Sequence, residues 1–187
     1  MPNKSAPSMQ DVYTRPGHLF RRMQQIAVAI FMEECAALDL TPVQYAALVA
    51  IRDDPGIDAT RLSALVAFDR STLGNVLERL EAKAMIVRRS TPDDKRVKVL
   101  HMTAKGRRLL AKAMPAVDRA QERMMSPLVP SERKTMMALL AKLVHLNNDI
   151  SRAPLRIDRG QERSKTRPAP AARRRRLDGS TGESTHV

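Results

Sequence analysis

Residues 69–103 read DRSTLGNVLERLEAKAMIVRRSTPDDKRVKVLHMT, and this stretch decides the fold. Asp69 is a favourable N-cap for a helix. The apolar residues that follow recur at the spacing of one face of an amphipathic helix: Leu73, Val76, Leu77 and Leu80. After Ile86 the pattern changes to two short strands, 87–90 and 96–102, joined by a polar turn. The stretch therefore predicts a helix that runs directly into a basic β-hairpin.

The polar face of this helix and the hairpin carry side chains that suit a nucleic acid, because such groups can reach base edges or phosphates. The candidates are Arg61 on the preceding helix, Arg70, Ser71, Thr72, Asn75 and Arg79 on this helix, and Arg88, Asp94, Lys95 and Arg96 on the hairpin. Asp94 stands two residues before Arg96, where its carboxylate can hold the guanidinium extended toward a phosphate or a narrow minor groove. The alternative is that these are ordinary solvated surface residues.

Composition supports a polyanionic partner. The 187 residues include 33 Lys and Arg against 20 Asp and Glu, which gives a net charge of +13 and indicates nucleic acid or an anionic membrane surface. No apolar run approaches the roughly 18 residues that span a bilayer, and the polar N-terminus lacks the apolar core of a signal peptide. We therefore expect a cytoplasmic protein without a membrane partner. With 11 Met, no Trp and 3% aromatic residues, the chain favours packed helices over an all-β fold.

The basic surplus is concentrated at the C-terminus. Residues 1–150 hold 23 basic and 16 acidic residues, whereas 151–187 hold 10 and 4 and have almost nothing apolar to bury. We predict a basic disordered tail over 151–187. Three roles stay open for it: a solvated tail without a specific function, an arm that contacts DNA non-specifically, or a site for another partner.

Helix signals divide the rest of the chain. Residues 1–15 are expected to be irregular, and an apolar stripe predicts a long helix over 16–38. Capping residues then mark the starts of four further helices, at Thr41, Asp58, Thr103 and Ser131. The helix after Asp58 ends near Phe68, only a few residues before the next helix begins. So short a connection predicts a helix-turn-helix.

These motifs together resemble a MarR-type winged helix-turn-helix regulator over residues 16–150. The matching residues are Leu40-Thr41-Pro42 with Gln44-Tyr45 and Leu48, Asp69-Arg70-Ser71-Thr72, Leu80-Glu81, Asp94 with Arg96, and Met102-Thr103 with Gly106. The resemblance implies a mainly α fold with a small β-hairpin wing. It also implies a homodimer formed by helices 16–38, 104–127 and 131–150, and a DNA-binding lobe over 41–103 that recognises an inverted repeat. The helix after Asp69 would enter the major groove, and Arg96, oriented by Asp94, the minor groove.

Two residues depart from the family's pattern. Ala67 and Ala84 stand where the turn between the two helices and the end of the recognition helix usually have Gly. If these positions need a left-handed backbone, each Ala costs about 1 to 2 kcal/mol.

The resemblance also implies a small aromatic carboxylate that releases the protein from DNA. Arg15, His18 and Arg22 lie along one side of the first long helix and could bind an anion, and Tyr45 could stack on or hydrogen-bond to an aromatic ligand. Residues 16–22 read PGHLFRR and are similar to the subgroup that represses nicotinate catabolism, which would make the ligand a hydroxylated nicotinate. The alternative is that the two arginines are solvated, His18 is partly exposed and Tyr45 belongs to the core.

Other functional classes have little support in the sequence. The single cysteine, Cys35, falls on the apolar stripe and is expected to be a buried, inert thiol rather than a redox sensor. The four His have no metal-ligand spacing, and phosphate loops and nucleophile elbows are absent, so we expect no metal, cofactor or enzymatic activity. The sequence predicts a ligand-responsive transcriptional repressor; the alternative is an architectural or constitutive DNA-binding protein.

Overall fold

The structure is a computed structural model that describes residues 8–90 and 98–157. In these residues the elements are α1 (Met9–Tyr13), α2 (Pro16–Glu34), α3 (Pro42–Asp53), β1 (Ile57–Asp58), α4 (Ala59–Val66), α5 (Arg70–Ala82), β2 (Ile86–Ser90), β3 (Lys98–Met102), α6 (Ala104–Met125) and α7 (Pro130–Leu146). Two 3₁₀ turns, Ala36–Leu38 and Asn148–Ile150, follow α2 and α7. The predicted fold class, mainly helical with a small β-hairpin, is confirmed.

Side-chain caps begin α3, α4 and α6 at the residues that the sequence indicated. The Thr41 hydroxyl accepts from the Gln44 N–H, and the Gln44 side chain accepts from the Thr41 N–H, which completes a capping box. Asp58 accepts from two backbone N–H groups at the start of α4, and Thr103 accepts from the N–H of Gly106. These helices therefore start where their first unpaired N–H groups find an acceptor.

The two ends of the helical region differ from the sequence analysis. Residues 9–13, expected to be irregular, form α1, which Ser8 and Asp11 cap reciprocally. At the other end, Ser131 does not cap α7, because the helix begins one residue earlier at Pro130. Proline suits this first position, since it has no N–H to satisfy and its φ is already helical. The N-cap is Val129, whose N–H donates to the Glu132 carboxylate at 3.0 Å.

The three strands form one antiparallel sheet in the order β1-β3-β2. The hairpin of β2 and β3 pairs Ile86 with Met102, and β1 joins the outer side of β3 by pairing Ile57 with Leu100. Strand β1, which the sequence analysis did not predict, has only two residues and forms by pairing with β3. The tip of the hairpin, 91–97, lies outside the described residues.

Two apolar clusters hold the helices together. The larger one packs α3, α4, α5, the sheet and α6, and its most buried side chains include Leu48, Ile51, Leu62, Leu73, Leu80, Ile86 and Leu100. The smaller one joins α2 to α6 through Phe31, Cys35, Ala116 and Val117. Leu38 and Tyr45 pack against both clusters, so they connect the long helices to the winged-helix lobe.

Both alanines at the family's glycine positions have a left-handed backbone. Ala67 ends α4 with φ 53°, and Ala84 follows α5 with φ 55°. An L-residue with a Cβ is strained there by about 1 to 2 kcal/mol. The turns on either side of α5 therefore keep the conformation that glycine would suit, and they are strained rather than reshaped.

After α7 the chain forms what we call the C-terminal loop, residues 148–157. The Asn148 side chain donates to the Leu155 carbonyl at 3.2 Å and accepts from the Leu155 N–H at 2.8 Å. The N–H of Arg156 donates to the carbonyl of Ala64 in α4 at 3.0 Å. Residues 151–157, expected to belong to a disordered tail, thus fold back onto α4. The remainder of that predicted tail, 158–187, lies outside the described residues.

Candidate nucleic-acid interface

The first turn of α5 is organised around the carboxylate of Asp69. Asp69 accepts hydrogen bonds from the Thr72 N–H at 2.9 Å, the Ser71 hydroxyl at 2.7 Å and the Thr72 hydroxyl at 2.9 Å. The backbone bond from Thr72, followed by the two hydroxyl bonds, lowers the pKa of Asp69 to about 2. Because each hydroxyl has one proton and donates it to Asp69, Ser71 and Thr72 present acceptor oxygens to a ligand. Such oxygens suit base amino groups better than phosphates.

The remaining candidates on α5 lie on the face opposite the core. Arg70, Asn75 and Arg79 are exposed, whereas Leu73 and Leu77 are buried. The helix therefore presents a polar face to solvent from its N-terminus onward, as the sequence indicated. The ionised Asp69 carboxylate offsets the positive end of the helix dipole at this N-terminus, so the exposed arginines supply the attraction for a phosphate.

Lys83, a further basic residue at the end of α5, makes its contacts within the chain. Its ammonium forms an ion pair with the Asp39 carboxylate at 2.6 Å and also donates to the Asp39 carbonyl at 2.8 Å. Lys83 caps the C-terminal end of α5, and Asp39 lies in the connection between α2 and α3 with φ 46°. This contact joins the end of α5 to the connection between α2 and α3, and no local sequence pattern indicates it.

Two candidate arginines form ion pairs within the lobe. Arg61 contacts Asp54 at 2.8 Å, and Arg88 contacts Glu81 at 3.0 Å. The second pair joins strand β2 to α5, so it sets the position of the hairpin relative to the helix. Surface pairs of this kind contribute about 0 to 1 kcal/mol, so either arginine can exchange its carboxylate for a phosphate at small cost. Asp94, Lys95 and Arg96 lie outside the described residues, and their roles stay predictions.

The four candidate ligand residues fall into two places within one chain. Arg15 is the exposed N-cap of α2, Arg22 is exposed two turns further, and the half-buried His18 ring lies 5.5 Å from that of Tyr13. Tyr45 instead packs on Phe31, with ring centroids 6.1 Å apart. Phe31 is 13 residues beyond His18 on α2, which corresponds to about 20 Å of helix. One chain therefore does not bring Tyr45 together with the other three.

A large apolar surface is left uncovered on the long helices. In α7, Leu139, Leu143 and Val144 are each about half exposed or more, and α2 exposes Leu19 and Phe20. An open groove of about 510 Å³ runs along α7, lined by Leu128, Met136, Leu139, Leu140 and Leu143 together with three polar residues. Exposed apolar side chains grouped in this way mark a surface that contacts a partner.

Cys35 is buried, with 1% of its surface exposed, and lies in the smaller apolar cluster. Burial, assisted by the nearby negative charge of Glu34, raises the pKa of its thiol. The prediction of a buried thiol is confirmed, and its neutral form makes it a poor nucleophile. Within 8–90 and 98–157, no helix has the length and hydropathy to cross a membrane, and no three His, Cys, Asp or Glu side chains are grouped as for a metal ion.

Comparison with known proteins gives the family. The profile of the MarR family matches residues 38–97, from the end of the first 3₁₀ turn to the hairpin. The HTH-type transcriptional repressor NicR of Pseudomonas putida is 31% identical over 134 residues, which are 72% of this chain and 85% of NicR. The chain belongs to the MarR family. The resemblance that the sequence motifs indicated is thereby confirmed.

Solved MarR-family structures share this winged helix. BpsR of Bordetella bronchiseptica, whose DNA binding is regulated by 6-hydroxynicotinic acid, is 30% identical, with a TM-score of 0.67 over 74% of this chain and 97% of BpsR. The repressor CouR, solved bound to a 23-mer DNA duplex, is 28% identical, with a TM-score of 0.67 over 75% of this chain and 99% of CouR. These MarR-family relatives are transcriptional regulators rather than enzymes.

Proposed function

We propose that this MarR-family protein is a transcriptional repressor that binds an inverted-repeat operator as a homodimer and is released by a small aromatic carboxylate. The observation that carries the proposal is the start of α5. Asp69 fixes the first turn there, and Arg70, Asn75 and Arg79 are exposed on the same helix. CouR, which shares the fold, binds DNA. In this proposal α5 enters the major groove, and Arg96 in the wing contacts the adjacent minor groove.

The uncovered apolar faces of α2 and α7 support the homodimer. Two copies that pair through these faces would bury the groove along α7 and would place two α5 helices on one side of the assembly. A symmetric dimer reads a symmetric site, so the half-sites should be about one helical turn of DNA apart.

The wing assignment has its own test. We expect Arg96→Ala to weaken operator binding by about 1 to 3 kcal/mol, because a single specific contact is lost. A fluorescence-anisotropy titration with an operator duplex measures the change, with Arg107→Ala as the control. Arg107 is a basic residue whose guanidinium donates to the Met102 carbonyl. Equal operator affinity for wild type and Arg96→Ala would contradict the wing assignment.

The ligand would occupy a site built from two protomers. His18 lies about 20 Å along α2 from Phe31, on which Tyr45 packs. A ligand that contacts Tyr45 together with Arg15, His18 and Arg22 therefore needs α2 of one protomer and α3 of the other. A carboxylate suits the arginines and His18, and an aromatic ring suits Tyr45. BpsR, whose DNA binding is regulated by 6-hydroxynicotinic acid, directs the choice toward hydroxylated nicotinates.

The experiment is a mobility-shift titration on DNA from the gene's own upstream region, with 6-hydroxynicotinate, nicotinate and benzoate as competitors. We expect one sharp complex that a single aromatic carboxylate dissolves. Arg15→Gln, which removes a positive charge from the carboxylate site, should reduce the response to the ligand and leave DNA binding intact. Tyr45→Phe, which removes the hydroxyl that can hydrogen-bond to the ligand, should have the same effect. Arg21→Gln is the matched control, because Arg21 is exposed on the same helix and bonds to Gln25. A complex unaffected by every compound would contradict the ligand-responsive part of the proposal.

A second candidate function is an architectural or constitutive DNA-binding protein. The net charge of +13 and the 10 basic residues in 151–187 favour it. A nuclease footprint separates the two functions. Discrete protected palindromes support the repressor, and continuous protection of any DNA supports the architectural protein.

A further inference from the structure

The C-terminal loop lies against the helix-turn-helix rather than beside α7. It is closed by the paired hydrogen bonds between Asn148 and Leu155, and it is attached to α4 by the backbone bond from Arg156 to Ala64. Ala153 and Pro154 are half-buried within it. These contacts give the loop a defined path across the first helix of the motif.

Along this path the loop exposes two arginines, Arg152 and Arg156. Arg152 is close enough to Asp69 for its charge to contribute, as the smallest of several causes, to the lowered pKa of that carboxyl. Asp69 begins α5, and Ala64 is in α4, so the two arginines flank the turn between these helices. Arg70 lies in the first turn of α5, next to the ionised Asp69 carboxylate, which offsets the positive end of the helix dipole.

Carboxylates of the described residues do not engage these two side chains. Among residues 8–90 and 98–157, neither guanidinium forms an ion pair, whereas Arg61 and Arg88 on the same lobe do. Asp69 is hydrogen-bonded to Ser71 and Thr72 rather than to Arg152. The loop is held by the Asn148 side chain and by the backbone bond to Ala64, so its arginines are not needed to keep it in place. Their exposed guanidinium groups therefore suit an anionic ligand that approaches from solvent.

We propose that Arg152 and Arg156 extend the DNA-binding surface of the helix-turn-helix by contacting backbone phosphates beside the major groove that α5 enters. The inference rests on the proposed function, since it assigns further contacts to the same complex. Phosphate contacts fix position and add affinity without reading bases. The two arginines therefore strengthen binding to any duplex and leave the choice of operator to α5 and the wing.

The test compares wild type with the full-length variant R152Q/R156Q in anisotropy titrations on operator and scrambled duplexes over a range of salt. Each lost phosphate contact reduces the slope of log affinity against log salt by about 0.9, and a homodimer loses four. We expect the slope to fall by about 2 to 4 and affinity at physiological salt to fall about ten-fold or more. The ratio of operator to scrambled affinity should stay unchanged.

The backbone bond from Arg156 to Ala64 does not depend on its side chain, so the loop should keep its place in the variant. The matched control is R108Q/K112Q, which removes the same charge from exposed positions on α6 and should change the slope little. The same pair of substitutions in a chain that ends at Ile157 tests the loop without the eight basic residues that follow it.

The inference would be overturned if R152Q/R156Q had the same salt slope as its parent, both in the full-length chain and in the chain that ends at Ile157. That result would leave operator recognition intact. Loss of the preference for operator over scrambled DNA would also overturn the inference, because phosphate contacts do not read sequence. Failure of wild type itself to select any operator would instead contradict the proposed function.

Discussion

Gly106 shows how one residue fixes the junction between the wing and α6. It lies in the first turn of that helix, where Thr103 caps its N–H at 3.0 Å. A Cβ at this position would collide with the backbone carbonyl of Met85 and lie 2.8 Å from the Met102 side chain. Met85 also accepts from the N–H of Thr103. The absence of a side chain therefore lets the end of β3 and the start of α6 approach the chain before β2.

We expect Gly106→Ala to lower the free energy of unfolding by about 1 to 3 kcal/mol, because a backbone atom cannot move aside as a flexible side chain can. Urea denaturation followed by circular dichroism measures it. Gly74→Ala is the matched control, since a Cβ there meets nothing within 4 Å and the position is helical. An equal effect at the two sites would contradict the close-approach explanation.

At the scale of the element, α5 is bounded by a strong cap at one end and left-handed alanines beyond both ends. The cap is local: Asp69 and Thr72 are three residues apart. The sequence could therefore predict it, as it could predict the caps at Thr41, Asp58 and Thr103. The hydrophobic spacing of Leu73, Leu77 and Leu80 likewise predicted which face is buried.

The left-handed alanines supply a stability prediction. Ala67→Gly and Ala84→Gly should each raise the free energy of unfolding by about 0.5 to 1.5 kcal/mol, because relief of the left-handed strain exceeds the added chain entropy of glycine. Ala111→Gly, at an exposed position inside α6, is the control and should destabilise by about 0.5 to 1 kcal/mol. The same denaturation experiment compares the three variants. If Ala67→Gly and Ala84→Gly instead lowered the free energy of unfolding, the left-handed alanines would not be strained by the expected amount.

Because Asp69 caps α5 as a carboxylate, the stability of the lobe should vary with pH in the acid range. Folding lowers the pKa of Asp69 from 3.8 to about 2, so the folded state favours its ionised form. The stabilisation is complete above the unfolded pKa of 3.8 and is lost as the pH falls through the folded value. We expect the difference in unfolding free energy between wild type and Asp69→Asn to shrink as the pH falls from about 4 to 2. Urea denaturation at a series of pH values tests this, and a constant difference would contradict it.

At the scale of the whole molecule, the features that sequence reasoning missed are those that join distant parts of the chain. Strand β1 needs β3 as a partner, Lys83 needs Asp39, and Arg156 needs Ala64. Local patterns do not encode such pairs, because capping and periodicity depend on residues within a few positions. The same limit applies to the ligand residues. Helical spacing placed Arg15, His18 and Arg22 together, but it could not show that Tyr45 lies far from them.

The uncovered face of α7 predicts the assembly state. Leu139→Gln together with Leu143→Gln should convert a dimer to monomers, because both apolar side chains line the groove on that helix. The control is Ala138→Gln with Lys142→Gln, which changes exposed neighbours outside the groove lining. Sedimentation velocity reports the mass, and operator affinity should fall with dimer loss, since each monomer reads one half-site. A dimer of unchanged stability would place the interface elsewhere.

Because the contact between Lys83 and Asp39 joins the end of α5 to the connection that follows α2, we expect α5 to move together with that connection. The first turn of α5 is capped by Asp69, and its C-cap residue, Lys83, contacts the connection after α2. A change in the tilt of α2 would therefore change the orientation of the whole of α5 without unwinding the helix. DNA presents equivalent major-groove faces about 34 Å apart. A small change in the tilt of α5 in each protomer of a dimer would therefore alter the spacing of the two α5 helices relative to this period. If the protein is the repressor proposed above, release from its operator would need only a mismatch between the spacing of the two α5 helices and the pitch of DNA, and every side chain on α5 would keep its local geometry.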